Sequence, residues 1–391
     1  MRITDVKVAE VPLASGISNA VIDFSTMTVS VVAVVSDVVA DGRPLVGYGF
    51  SSNGRYAQTG ILTSRILPRL EAANDADLLD PESGIIDPVR AHRAVLANEK
   101  PGGHGDRAIA VGVLDMALWD LAAKAAGLPL HRLLHQRFGI AGRPAEEVWV
   151  YAAGGYYYPD KDLRVLREEI KGYLDLGYRD VKIKIGGAPL PDDVKRVEAV
   201  LDVLPAGCRL AVDANGRFDL PAALEYARAL PPYRLLWYEE PCDPLDYRGH
   251  AAVAEHYPGA LATGENLFSA ADARNLLRYG GLRPDRDVLQ FDPSLSYGVP
   301  EYAAVLRTMD EHGWSPARCC PHGGLQYSLA VAAAFGLGGC ESYPAVFEPF
   351  GGFADDTPIV DGRIRLPETP GVGHERKAAL RDLLHRLVPT T

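Results

Sequence analysis

The feature that most constrains the fold is a regular alternation of strand-like and helix-like segments from about Val148 onward. Short β-branched and apolar runs alternate with stretches of helical period such as DDVKRVEAVLDVL and LPAALEYARAL. This alternation is typical of βα units around a parallel sheet. Eight runs qualify as strands, and most of them end in a polar residue: VWVYAAGG, VKIKIGG, RLAVDANG, LLWYEEP, LATGEN, VLQFDPS, RCCPHGG and CESYPAV.

The polar residues at the ends of these runs recur at a nearly constant interval. Each is separated from the next by 26 to 30 residues, about the length of one βα unit. These residues are Lys184, Asp213, Glu239, Glu265, Asp292 and His322. Eight parallel strands, each feeding a helix, close into an α/β barrel whose strand carboxyl ends meet at one rim. We therefore expect these six side chains to share one site.

The first 130 or so residues follow a different, α+β pattern. Long β-type runs (MTVSVVAVVSDVVA, LVGYGF) precede an alanine-rich helical stretch, AVGVLDMALWDLAAKAAG. The loops GFSSNGRY and ANEKPGGHGDR are glycine-rich and polar, which suits loops that cover a barrel mouth as well as plain surface turns. We expect a capping domain, joined by the C-terminal tail.

Composition narrows the partners of the chain. It is 47% hydrophobic and 23% charged, as in packed globular proteins. Forty basic and 51 acidic residues give a net charge of −11, which argues against nucleic acid or an anionic membrane as the main partner. Because no leader-like or membrane-length apolar run occurs, a cytoplasmic location is expected.

The five cysteines show no pattern that indicates chemistry. Their number is odd and their spacing irregular, unlike a disulfide framework or a zinc site. We expect buried structural thiols at Cys208, Cys242, Cys319, Cys320 and Cys340.

Three of the rim residues, Asp213, Glu239 and Glu265, are carboxylates at the ends of consecutive strands. Three converging anions repel one another in a partly dry site unless a cation lies between them. All-oxygen ligands suit Mg²⁺, with Mn²⁺ as an alternative. The competing interpretation is three solvated or salt-bridged acids.

Lys182 and Lys184 alternate in VKIKI, so both project to the same face of their strand. Desolvation and a neighbouring ammonium should lower the pKa of Lys184 from about 10.4 to roughly 7 to 8, where the neutral amine can act as a general base. A KxK pattern alone is weak and often marks a solvated strand edge.

His322 in PHGG follows Asp292 by one βα unit. A carboxylate bonded to one imidazole nitrogen fixes the tautomer and raises the pKa, which prepares the other nitrogen to donate a proton. Although a lone histidine is more often structural, its position at this rim favours catalysis.

Three further polar residues lie near these candidates. Glu348 in FEPFGG could contact substrate, His322 or solvent, and its role stays open. Asn215 in DANG is interpreted as a turn former, and Glu240 in YEEP as an acid that supports the neighbouring ligand.

The ordered set KIK, DAN, YEEP, GEN, FDPS and PHGG, together with a separate capping domain, resembles the mandelate racemase branch of the enolase superfamily. The resemblance covers nearly the whole chain. It implies a (β/α)7β TIM-like barrel with an α+β capping domain completed by the C-terminal tail. The implied division is 1–130, 131–350 and 351–391. Enzymes of this superfamily use a Lys or His base with Mg²⁺ stabilising an enediolate.

Within the branch, the segments YGFSSNGRY, NEKPGGHGDR, YAAGGYYYP and ATGENLFS are similar to those of tartrate dehydratases. Carried across, the resemblance makes Asp213, Glu239 and Glu265 the metal ligands and Lys184 the base, with Lys182 as its companion. It makes Asp292 and His322 the dyad. The remaining candidate substrate contacts are Lys100, Asn53, Tyr156 and Glu348. At Leu325 the chain departs from the dehydratase pattern, which has a second histidine there.

The resulting expectation is Mg²⁺-dependent dehydration of a small hydroxy diacid, with D-tartrate to oxaloacetate as the favoured reaction. The alternatives are dehydration of another acid sugar, racemisation or epimerisation of a hydroxy acid, and a non-catalytic barrel that binds sugar acids or metal. Barrels of this family commonly assemble, so a homo-oligomer is expected.

Overall fold

A computed structural model of the chain describes residues 1–13, 15–51, 54–158 and 162–388. Its N-terminal part contains an antiparallel sheet in which the central strand pairs with both others. Side chains of the central strand alternate between two cores because successive residues point to opposite faces: Val31 joins the main core and Val32 a second cluster. The strands are β1 (Ile3–Pro12), β2 (Thr28–Ala40) and β3 (Arg43–Phe50).

The longest N-terminal helix, α5 (Asp106–Ala125), packs across β3 and also contacts β2. A Cβ at Gly47 would lie 2.1 Å from Ala117 O, and one at Gly49 would lie 2.2 Å from Val113 O. Glycine is therefore required at both positions for this close approach. The helices are α1 (Thr59–Ile61), α2 (Leu67–Ala72), α3 (Asp75–Leu78), α4 (Pro88–Val95), α5 (Asp106–Ala125) and α6 (Leu130–Arg137).

The larger part of the chain is a TIM-type α/β barrel of parallel strands. Its strand order is β10-β4-β5-β6-β7-β8-β9. The register places Lys184 opposite Asp213, and Asp213 opposite Glu239, at one end of the sheet. The strands are β4 (Glu147–Gly154), β5 (Asp180–Lys184), β6 (Arg209–Asp213), β7 (Tyr238–Glu239), β8 (Leu261–Thr263), β9 (Val288–Leu289) and β10 (Cys340–Ser342).

Helices alternate with these strands, as the helical period of the intervening segments predicted. The two segments quoted above form α8 and α9, which extend close to the predicted bounds. The helices are α7 (Leu163–Asp175), α8 (Leu190–Leu201), α9 (Leu220–Ala229), α10 (Tyr247–His256), α11 (Ala270–Tyr279), α12 (Val299–Glu311) and α13 (Gln326–Phe335).

The run RCCPHGG, predicted as a strand, forms only a single parallel bridge, between Cys319 and Leu289 of β9. A 3₁₀ turn at Pro316–Arg318 includes its first residue, and Pro321 has no N–H to donate. The segment still hydrogen-bonds to both neighbours, because Cys320 N donates to Leu289 O (2.8 Å) and Glu341 N donates to Pro321 O (3.2 Å). It therefore occupies the place of a strand between β9 and β10.

The C-terminal segment contacts both parts of the protein. After the pair β11 (Ile359–Val360) and β12 (Arg363–Arg365), of which β12 pairs antiparallel with β4, helix α14 (Ala378–Leu387) contacts β1. In the described residues, no helix combines the length and apolarity needed to cross a bilayer. The cysteines are unbridged, and all are buried except Cys208, which is partly buried.

Candidate active site at the carboxyl ends of the barrel strands

Asp213, Glu239 and Glu265 converge as the spacing predicted. Asp213 and Glu239 end β6 and β7, and Glu265 follows β8 by two residues. One ligand oxygen from each lies within 4.8 Å of the others, and all three side chains are buried. We refer to these residues as the carboxylate trio.

The trio has the donor set of a hard divalent cation. Burial and the charge of Asp213 raise the pKa of Glu239, so closely grouped negative charge is costly here. Lys182 Nζ donates to Glu239 Oε1 (2.6 Å), while Trp237 Nε1 (2.7 Å) and Gln290 Nε2 (2.8 Å) donate to Oε2. Fixed oxygen ligands of this kind fit Mg²⁺ or Mn²⁺.

Both lysines of β5 are buried beside the trio, as their period of two predicted. Lys184 Nζ donates to Asp213 Oδ2 and lies 5.2 Å from the ring centroid of Tyr156. The prediction of a lowered pKa for Lys184 was wrong for this arrangement. Burial is the largest single influence and lowers it, but the charge of Asp213 and smaller contributions such as that of Tyr156 together raise the pKa above its ordinary value.

His322 and Asp292 form the predicted pair. The Nδ1 atom of His322 lies 2.9 Å from Asp292 Oδ2, and its Nε2 atom lies 3.0 Å from the Tyr343 hydroxyl. Burial lowers the pKa of His322, but the charge of Glu265 and the bond to Asp292 together raise it to about 9. With these partners, His322 carries its proton at neutral pH.

The sequence did not point to two residues of the site, Glu341 in β10 and Tyr343 directly after it. Glu341 is fully buried and accepts from Gly323 N (3.0 Å), while its other oxygen lies 2.7 Å from Lys182 Nζ. Tyr343 packs where a Cβ on Gly324 would come within 2.6 Å of its ring. The signal available was ESY at the end of the eighth run, the same position that supplied the other rim residues.

Several of these side chains line a cavity of about 300 Å³, to which both parts of the chain contribute. The barrel contributes Lys184, Glu265, His322 and Tyr343. A bridge between Ser18 and Tyr157 fastens one N-terminal loop to the barrel rim. The N-terminal region supplies Asn19, Val21, Ile22, Phe24, Gly54 and Arg55.

Of the four residues predicted to contact substrate, the structure places one in the cavity wall. Tyr156 lines the cavity. Lys100 is exposed and does not line it, and Glu348 is exposed and pairs with Lys377 (2.9 Å). Asn53 lies outside the described residues. Leu325, where the sequence departs from the dehydratase pattern, is buried immediately before α13 and does not line the cavity.

Asn215 and Glu240, the two residues interpreted as supporting groups, both line the cavity. Asn215 adopts a positive φ of 48° and donates its backbone N–H to Asp213 Oδ1 (2.8 Å), as expected of a turn former. Glu240 accepts two hydrogen bonds from Asn266. Burial and the charge of Glu265 raise the pKa of Glu240 well above its ordinary value.

The sequence of the chain matches a family of known enzymes over much of its length. Residues 165–380 match the family described as enolase C-terminal domain-like, which is more than half of the chain. The L-talarate/galactarate dehydratase of Salmonella typhimurium is 28% identical over 368 residues, covering 93% of this chain and 86% of that protein.

Two crystal structures of proteins from Polaromonas sp. JS666 also match. One is an L-talarate dehydratase complexed with Mg and L-glucarate, and the other is a mandelate racemase/muconate lactonizing enzyme. Each has a TM-score of 0.74 and 26% identity, covering 94% of this chain and 92% of the other. The chain is thus an enzyme of the enolase superfamily and belongs to its mandelate racemase/muconate lactonizing enzyme branch.

Proposed function

We propose that the chain catalyses the Mg²⁺-dependent dehydration of a hydroxy acid, and is thus a hydro-lyase. It would remove the proton next to the carboxylate, eliminate the β-hydroxyl as water and yield a keto acid. The observation that carries this proposal is a cavity lined by Lys184, His322 and Glu265, the last of which belongs to the buried carboxylate trio. The dehydratases among the relatives support the same reaction class.

The carboxylate trio would hold the cation, with Mn²⁺ as an alternative to Mg²⁺. When bound, the ion supplies positive charge for the electron density that develops on the substrate carboxylate as the proton leaves. The Mg in the Polaromonas dehydratase structure supports this choice for a relative of the same family. The buried oxygen donors of this chain support it independently.

Lys184 is the proposed base. It lines the cavity, and its amine is held between Asp213 and the Tyr156 ring. The charge of Asp213 is the main cause that raises the Lys184 pKa. A cation held by the trio would neutralise that charge. Burial and neighbouring Lys182 would then favour the neutral amine of Lys184, which can accept a proton.

His322 is the proposed acid. Its bond to Asp292 occupies Nδ1 and leaves Nε2 available on the side of Glu265 and Tyr343. An imidazolium in this position can protonate the departing hydroxyl, which would otherwise leave as hydroxide. Strands β6 to β9 separate His322 from Lys184 in the sheet order, so the two groups enter the cavity from different parts of the rim.

For the substrate we propose an acid sugar. Tartrate, which the sequence resemblance favoured, belongs to the hydroxy acids, but the named relatives act on longer acids. They therefore favour the alternative that the sequence analysis retained. We also infer a (β/α)7β form for the barrel, a division at 1–130, 131–350 and 351–391, and assembly as a homo-oligomer.

The test is turnover in D₂O with Mg²⁺ and a panel of tartrates, hexarates and hexonates. Keto-acid formation is measured by carbonyl derivatisation, and exchange of the α-proton by NMR. Dehydration predicts a keto acid from at least one compound. Exchange or epimerisation without a keto acid would instead support the racemase alternative, and neither signal from any compound would reject the proposal.

A further inference from the structure

Arg55 is a cationic residue of the cavity wall that the proposed mechanism does not use. It lies in the loop that follows β3 and lines the cavity beside Gly54. The other two cationic side chains of the wall, Lys184 and His322, contact carboxylates directly through hydrogen bonds. Arg55 differs from both in its partners.

The contacts of Arg55 within the described residues are all uncharged. Its guanidinium donates to Gly54 O (3.0 Å) and to the side-chain oxygen of Asn266, and its Cζ lies 5.9 Å from the ring centroid of Phe268. Asn266 in turn donates its amide to both oxygens of Glu240, at 3.0 and 3.1 Å. The amide therefore separates the guanidinium from the acids, and no described residue provides its charge with a direct counter-ion.

These contacts also fix where Arg55 lies relative to the reacting centre. Asn266 directly follows Glu265 of the carboxylate trio and donates to it at 3.4 Å. A substrate with one end at the trio therefore has Arg55 on the Glu265 side of the same cavity. Contacts to the part of the chain that the structure describes engage two of the five N–H groups of the guanidinium, which leaves donors for a ligand.

We propose that Arg55 binds a second carboxylate of the substrate, remote from the carbon that loses its proton, so that the site selects hydroxy diacids over hydroxy monoacids. This inference rests on the dehydration proposed above. A guanidinium matches a carboxylate with paired, charge-assisted hydrogen bonds. A terminal hydroxymethyl group supplies no charge and cannot accept the same pair of bonds, so a monoacid leaves the cation unmatched.

The experiment compares matched substrates that differ only at the far end: galactarate with galactonate, and tartrate with threonate of matching configuration. Values of kcat/KM are measured with Mg²⁺ for the wild type, Arg55→Gln, Arg55→Lys and a control, Arg43→Gln. Arg43 is an exposed arginine of β3 that lines a different cavity. Circular dichroism and Mg²⁺ affinity establish that each variant is folded and loaded.

The wild type should prefer the diacid, and Arg55→Gln should reduce the diacid-to-monoacid ratio by about 10- to 100-fold, mainly through KM. Arg55→Lys should restore part of the ratio, and Arg43→Gln should leave it unchanged. A ratio that does not fall in Arg55→Gln, or a wild type that prefers monoacids, overturns the inference while the proposed dehydration stands. Turnover of neither member of either pair, with no α-proton exchange, rejects the dehydration and the inference together.

Discussion

The Tyr343 hydroxyl lies 3.0 Å from Nε2 of His322, the ring nitrogen that is not bonded to Asp292. Both side chains are buried and both line the cavity. Tyr343 thereby holds the nitrogen that we propose as the proton donor, and Gly324 leaves the space that its ring requires. The PHGG motif and the turn after β10 thus act together on one imidazole.

Replacing Tyr343 with Phe should reduce kcat for dehydration by about 10- to 100-fold, the value of one hydrogen bond to a charged imidazolium. Exchange of the α-proton should change much less, because Lys184 carries out that step. The measurement is keto-acid formation and deuterium exchange on the same samples. Tyr178→Phe is the control, since that buried hydroxyl bonds to Ser342 instead (2.6 Å). Equal losses in both steps would contradict a specific role at His322.

Lys184→Ala and His322→Asn should separate the two halves of the reaction. The lysine variant should lose α-proton exchange and dehydration together, each by roughly 10²–10⁴-fold. The histidine variant should lose dehydration but continue to exchange the α-proton with solvent. NMR in D₂O follows exchange, and carbonyl derivatisation follows product. Retained exchange in Lys184→Ala would show that another group is the base.

Glu239→Gln should abolish the stabilisation of the protein by Mg²⁺. For the wild type, Mg²⁺ at a concentration of about 100 Kd should add roughly 2.7 kcal/mol to the free energy of unfolding. Removing one of the three anions weakens the site, so the variant should show little rise in Tm. Asp243→Asn is the matched control, because Asp243 lines the cavity outside the trio. An equal rise in Tm for Glu239→Gln would place the cation elsewhere.

Asp292→Asn should change how stability depends on pH. Since the pKa of His322 is raised from 6.5 to about 9, the folded chain binds this proton more tightly than the unfolded chain. The stabilisation is therefore complete below pH 6.5 and is lost as the pH rises through about 9. Without the Asp292 charge this contribution shrinks.

Denaturant titrations with chelator present, on either side of that window, test this expectation. The wild type should exceed Asp292→Asn most at the acidic end, and the difference should narrow towards the alkaline end. Ser294→Ala is a useful comparison, because it removes a hydrogen bond that Ser294 donates to Asp292 but leaves the Asp292 charge in place. A difference between wild type and Asp292→Asn that stays constant across the window would contradict the coupling of His322 to Asp292.

The spacing of rim residues predicted the convergence of Asp213, Glu239 and Glu265 because a parallel barrel converts sequence intervals into neighbouring positions. The same reasoning brought Lys184 to Asp213 and His322 to Asp292. Strand length was less predictable. The run containing Cys319 forms one bridge, since Pro321 lacks the N–H donor that a strand needs.

Electrostatics and loop contacts were beyond what the sequence reveals. The direction of the Lys184 pKa depends on how closely Asp213 approaches, and spacing alone gives no such distance. Glu341 was overlooked because its chemistry appears only in the folded chain, where it forms an ion pair with Lys182. Arg55 lies far from the barrel in sequence, so only the folded chain brings it to Asn266.

The wall of the cavity is divided between two stretches of chain that meet only after folding. Lys184 ends a barrel strand and His322 lies in the segment that takes the place of one, whereas Asn19 to Ile22 and Gly54 to Arg55 belong to loops. Loops accept substitutions and insertions more readily than packed strands do. Substitutions in those loops can thus change which substrate is bound in the course of evolution, while the residues that transfer protons stay the same.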